Sequence, residues 1–103
     1  MSNEQVIPDA ALRDPNSMEM LRVWIAERQL WCSLRIGFYR ERGMDEPSAW
    51  GTILADAASH IANALAESEN LDRSETLQKI QQVFGKELGS PTSSVSGEFL
   101  RRS

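Results

Sequence analysis

Between Leu21 and Ile36 the chain alternates twice, and the second alternation has to fold back on the first. Leu21, Val23 and Ile25 point one way, and Arg22, Trp24 and Ala26 the other. After Glu27-Arg28-Gln29 the pattern resumes, with Leu30, Cys32, Leu34 and Ile36 set against Trp31, Ser33 and Arg35. The period of two and the β-branched and aromatic content predict two strands rather than one helix from Ser17 to Tyr39. The two apolar sets must share a face, because a slip of one residue would turn every side chain over. Pairing Ile25 with Cys32, Val23 with Leu34 and Leu21 with Ile36 achieves this and leaves Arg28-Gln29 at the tip. Neither tip residue favours the positive φ of a two-residue hairpin turn, so a longer loop or a bulge is the alternative.

Downstream the period changes to that of a helix. Gly37 to Glu46 reads as a loop, and Pro47 then opens a helix at a position where its missing N–H costs nothing. Asp45 and Glu46 place negative charge against the helix dipole. The stripe Trp50, Ile53, Leu54, Ala57, Ile61, Ala64, Leu65 keeps three-and-four spacing for several turns. Beside it run Ala55, Ala58, Ala62 and Ala66, a row that lets another backbone approach closely. Gly51, costly inside a helix, suggests tight packing near its start. Asn70-Leu71 breaks the helix. Asp72 and Glu75 have capping-box spacing, and a second helix carries Leu77, Ile80, Val83, Phe84 and Leu88 as far as Gly89.

The ends are less regular. Residues 1–16 form an irregular lead-in punctuated by Pro8 and Pro15, with room for about one helical turn over Asp9 to Arg13. Residues 90–103 are rich in Ser, Pro and Gly and read as a disordered tail, with Phe99-Leu100-Arg101-Arg102 as a possible docking peptide. The expectation is a single α+β domain over residues 17–89. In it a β-hairpin of residues 20–36 packs on two antiparallel helices, residues 47–68 and 73–88, in the order ββαα.

Composition narrows the function classes. With 103 residues there is room for one domain only. Cys32 is the only cysteine, which excludes an internal disulfide and a Cys-rich metal site. The first residues lack the basic start and apolar core of a signal peptide. The longest apolar run, Val23-Trp24-Ile25-Ala26, is far short of a membrane span, so the expected setting is the cytoplasm without membrane contact. Net charge is −4, against nonspecific wrapping of nucleic acid, but it is unevenly spread. Residues 13–42 carry six arginines against four acids, whereas residues 43–72 carry six acids and no Lys or Arg. A dipolar chain of this kind favours oriented pairing with itself or another protein.

The residues that look built to meet something are Arg22, Trp24, Trp31, Ser33 and Arg35 on the non-core face of the hairpin. Trp and Arg are what interface hot spots favour, and the same composition stacks bases and neutralises phosphates in single-stranded nucleic acid. A third reading is internal, with the helices covering this face and acids pairing its arginines. In the pairing above Arg22 lies opposite Arg35, which is unfavourable unless an anion or carboxylate sits between them. Asp56 and His60 are one helical turn apart, a spacing that can orient an imidazole as a base or offer two metal ligands. His60 is the only histidine, and no further partner stands at motif spacing. A surface pair is the plainer reading. Cys32 falls on the inward face of its strand, where cysteine packs as a small apolar residue. Nothing in the pattern implies a cofactor or a metal site.

Leu21-Arg22-Val23-Trp24, then Ser33-Leu34-Arg35 with Gly37, then Pro47 and Ala49-Trp50-Gly51 with Asp56 and His60 beyond, resembles a family of small bacterial proteins, chiefly proteobacterial, catalogued as a domain of unknown function. The likeness spans about residues 20 to 88 and implies a compact hairpin-plus-two-helix domain. It brings no activity and no catalytic residue, and the loop after Gly37 is longer than the family pattern. The combined expectation is a non-enzymatic protein-interaction or homodimerisation module acting through the Trp/Arg face. Binding of single-stranded nucleic acid or a phosphorylated small ligand there is the alternative, and an enzyme built on Asp56 and His60 a distant third.

Overall fold

The computed structural model describes residues 3–101. Residues 1, 2, 102 and 103, at the far ends of the expected lead-in and tail, lie outside the described residues. The class is α+β: a three-strand mixed sheet and two long helices. One short helix, α1 (Asp9–Arg13), is the single turn that the lead-in had room for.

Strands β1 (Leu21–Ala26) and β2 (Gln29–Ile36) form the expected antiparallel hairpin, but two residues out of the expected register. Leu21 pairs with Leu34, Val23 with Cys32 and Ile25 with Leu30. A shift of two keeps both faces intact, so the apolar set stays together. What changes is the partner list on the other face. Trp24 now lies opposite Trp31, and Arg22 opposite Ser33 instead of Arg35. The observed register avoids the like-charge Arg22–Arg35 pair, which favours it over the other register of equal parity. Its tip is Glu27-Arg28, with φ of 52° and 63°, so two non-glycine residues hold the left-handed conformation this tight turn demands.

The expected disordered tail instead holds a strand. β3 (Val95–Arg101) pairs parallel with β2, Leu30 beside Val95 and Leu34 beside Phe99, giving the order β1-β2-β3. Gly97 sits opposite Cys32 with φ of 147°, and a Cβ there would run into the Cys32 backbone carbonyl. Only glycine lets the two strands come this close.

The helices fall where the spacing predicts. α2 (Glu46–Glu69) has Pro47 in its first turn and Asp45 as its cap, the Asp45 carboxylate accepting from Ser48 N–H at 3.0 Å. Asn70, in the left-handed conformation, ends it. α3 (Arg73–Gly89) is capped by Asp72, which accepts from Glu75 N–H at 2.9 Å. The two run back along each other as a helical hairpin, tied near the bend by Arg73 Nε donating to Asn63 Oδ1. The alanine row provides the close approach: Ala62 is fully buried, with Ala58 and Ala66 half-buried. Gly51 departs from expectation, since a Cβ there would meet nothing within 4 Å.

The expected packing of the hairpin on the helices is the main departure. Among the described residues the substantial contacts between elements are β1 with β2, β2 with β3 and α2 with α3. Even on the central strand, Leu30, Cys32, Leu34 and Ile36 are no more than half-buried. The sheet and the helical hairpin stand as two structures joined at a corner, residues 37–45, and neither forms the core of the other.

Candidate interaction surface

On the Trp/Arg face the structure gathers the five expected residues but already occupies some of them. Arg22 is held by two carboxylates, Glu4 at 2.7 Å and Glu19 at 3.0 Å. Glu19 first, through its hydrogen bond and its charge, and then Glu4 raise the guanidinium pKa above its ordinary value. Trp31 donates its indole N–H to the Ala26 carbonyl at 2.9 Å, which fixes the ring across the end of the hairpin. Trp24 and Ser33 are exposed, Trp31 and Arg35 half-buried. Arg35 lines a cleft of about 260 Å³ with Glu19, Ser33, Leu34, Glu98, Phe99 and Leu100. Two of those residues are acids, so an incoming phosphate would meet negative charge there.

The opposite face was expected to be core and is open. By the register, Leu21, Val23, Ile25, Leu30, Cys32, Leu34, Ile36, Val95 and Phe99 share it. Ile25 is 81 % exposed, and Val23, Val95 and Phe99 are exposed as well. A second apolar surface lies on the helices. With the alanine row turned to α3, the larger stripe residues Leu54 and Ile61 remain exposed, as do Phe84 and Leu88 on α3. Leu54, Ala58, Leu77, Ile80 and Phe84 line a groove of about 420 Å³, and bare Gly51 widens its end. The adjoining small and large rows on one helix were the sequence signal for this: the small row closes on α3 at Ala62, and Leu54 with Ala55 and Ala58 is left on the open groove.

The surface total carries the same message. The chain exposes 8694 Å², whereas a folded monomer of 11.6 kDa exposes about 5,800 Å². Its radius of gyration is 15.5 Å, against about 13 Å for a compact domain of this length.

The corner between the two regions is built on a residue that sequence reasoning treated only as helix-end charge. Glu46 accepts from the backbone N–H of Gly37 (3.0 Å), Tyr39 (3.1 Å) and Arg40 (3.0 Å), and from the indole N–H of Trp50 (3.0 Å). Desolvation pushes its pKa up, but these four donors outweigh it and hold the carboxyl below its ordinary value. Arg42 reinforces the corner, with its guanidinium 3.7 Å from the centre of the Phe38 ring and a 2.7 Å hydrogen bond to the Phe38 carbonyl. Three of Glu46's four donors are backbone groups, which leave no mark in the sequence.

Asp56 and His60 stand exposed on α2, and Cys32 is half-buried on β2. Among the described residues no group of three or more His, Cys, Asp or Glu side chains could hold a metal ion. Among the same described residues, no helix is long and apolar enough to cross a membrane.

Comparison with known proteins adds a family and a fold. The family model described as "Domain of unknown function (DUF5076)" matches residues 4–92, ending three residues before β3. No curated protein matches the chain. A solved structure from the photosynthetic bacterium Rhodopseudomonas palustrus CGA009, described as that of a "putative pyruvate dehydrogenase", is similar over 91 % of both chains, with 26 % identity and a TM-score of 0.67.

Proposed function

Since the chain belongs to the DUF5076 family, a domain of unknown function, its role has to be argued from its own surface, and we propose that it is a non-enzymatic self-associating module. The observation that carries this reading is the open apolar sheet face on a chain with about half as much again of the surface a monomer should expose. Apolar side chains at this density are closed by another surface. Two chains each recovering the excess would bury more than about 5,000 Å², the upper range of obligate interfaces. The lone thiol suits a reducing compartment, and a cytoplasmic homodimer is the simplest form of the proposal.

The Trp/Arg face then takes a secondary place, as a surface left free for a further protein once the dimer has formed. The anionic-ligand alternative has less to stand on, because Glu4 and Glu19 already neutralise Arg22. The description of the similar solved structure as a pyruvate dehydrogenase belongs to that protein. Both clefts described above lie open at the surface of this chain, where neither would enclose a small 2-oxo acid.

The test is the solution mass by size exclusion with light scattering across a dilution series. A mass near twice 11.6 kDa that persists on dilution supports the proposal, and a mass of one chain throughout overturns it.

A further inference from the structure

We infer that the two open apolar surfaces are halves of one contact: the sheet face of each chain seats on the α2–α3 groove of a second copy, reciprocally. This rests on the self-association proposed above and says which surfaces meet. Four observations converge on it.

The first is complementarity of need. An apolar sheet face and an apolar helical groove are the two layers that an α+β domain normally packs together. Here each chain has both, and neither covers the other. A sheet-to-sheet dimer would leave both grooves open, and a groove-to-groove dimer both sheets.

The second is the corner. Glu46 ties the N–H groups of Gly37, Tyr39 and Arg40 to the first turn of α2, and these bonds resist swinging the sheet onto its own helices. A partner's helices can occupy that place without disturbing the corner. Such an exchange of equivalent elements between copies is a low-cost route to a dimer.

The third is charge. The segment carrying the hairpin holds six arginines against four acids, and the segment carrying α2 holds six acids and no Lys or Arg. Sheet-to-groove pairing joins segments of opposite net charge and sheet-to-sheet pairing two of the same sign. With Arg22 and Arg35 on the far face of the sheet, this charge orients the approach of two copies and makes no ion pair inside the contact. The fourth is area. An excess of this size fits two separate contacts related by a two-fold axis better than a single patch.

The experiment is complementation by mixing. Ile25→Glu places a negative charge on the sheet face, and Phe84→Lys places a positive one in the groove. Both residues are exposed in the single chain, so neither change should disturb its fold, which circular dichroism checks. Each variant alone spoils both contacts of a reciprocal dimer, and its dissociation constant should rise about 100-fold or more. In a mixture one contact joins two unaltered surfaces. The other sets the carboxylate introduced in one variant chain against the ammonium introduced in the other. The mass of two chains should therefore return, with a dissociation constant within about tenfold of the unmodified protein's. Val23→Glu with Leu54→Lys serves as a second pair should either first variant fail to fold. Two variants that associate as tightly alone as the unmodified chain would overturn the inference, as would a mixture that shows no recovery. In either of those cases an unmodified chain that is still dimeric leaves self-association standing. An unmodified chain that is monomeric removes both.

Discussion

The sheet and the helical hairpin solve the same problem by opposite means. Each helix is specified within its own length: Asp45 and Asp72 cap the starts, Asn70 makes the bend, and a row of alanines brings α3 close at Ala62. The sheet depends on distance. Its outer strand joins β2 at residues about 65 positions apart, as Leu30 and Val95 illustrate, and among the described residues its apolar face stays largely open. Local signals suffice to make an element, but they do not say what that element will pack against.

If the two regions are separate structures coupled at one corner, breaking the corner should have the largest effect. Glu46→Ala strips a partner from three backbone N–H groups and the Trp50 indole, and should lower Tm by roughly 5–10 °C. The unfolding trace, followed by Trp fluorescence and by helical circular dichroism, should separate into two transitions. Coincident transitions would mean that the regions are coupled elsewhere.

Acid should act at the same place. The folded pKa values of Glu46 and Asp45 lie below the ordinary 4.5 and 3.8, Asp45 because of the Ser48 hydroxyl and then the Ser48 N–H. Their contribution is therefore complete above those ordinary values and is lost as pH falls through the lower folded ones. Tm should decline below about pH 5, and Glu46→Gln should flatten that decline while lowering Tm at neutral pH.

Gly97→Ala tests the sheet alone. The added Cβ would overlap the Cys32 carbonyl and force β3 away from β2, and the positive φ alone adds about 1–3 kcal/mol. Hydrogen exchange should show loss of protection over Val95–Arg101 with the helices unchanged. Asp72→Ala is the counterpart in the helices, costing about 1 kcal/mol and speeding exchange in the first turn of α3 only. The smallest change should stabilise: Glu27→Asn with Arg28→Gly suits the left-handed tip and should gain about 1 kcal/mol in urea unfolding.

Much of this molecule was legible because the relevant signals are short-ranged. The helix limits followed from Pro47, the Asn70-Leu71 break, the Asp72 capping spacing and Gly89, and the faces of the hairpin followed from parity. Register was harder. Two pairings of the same parity differ only in which side chains stand opposite, and the observed one keeps Arg22 from facing Arg35. β3 left little trace, since Val95, Gly97 and Phe99 make a thin alternation inside a polar stretch, and parallel pairing has no turn to announce it. Of the site, the five residues on the Trp/Arg face were found together. The openness of the opposite face was not, because apolar spacing says which side chains need cover and not which chain supplies it.

The parallel seating of β3 also sets an order of events during synthesis. β2 is complete at Ile36, while its neighbour on that edge begins at Val95. At ordinary elongation rates of about 5–20 residues per second, the edge of β2 waits several seconds for its own strand. Throughout that interval the hairpin presents an unpaired edge beside an apolar face, to nascent copies on the same message as much as to itself. The late strand thus works as a closing seam: it ends a period in which the chain is most open to pairing with its neighbours.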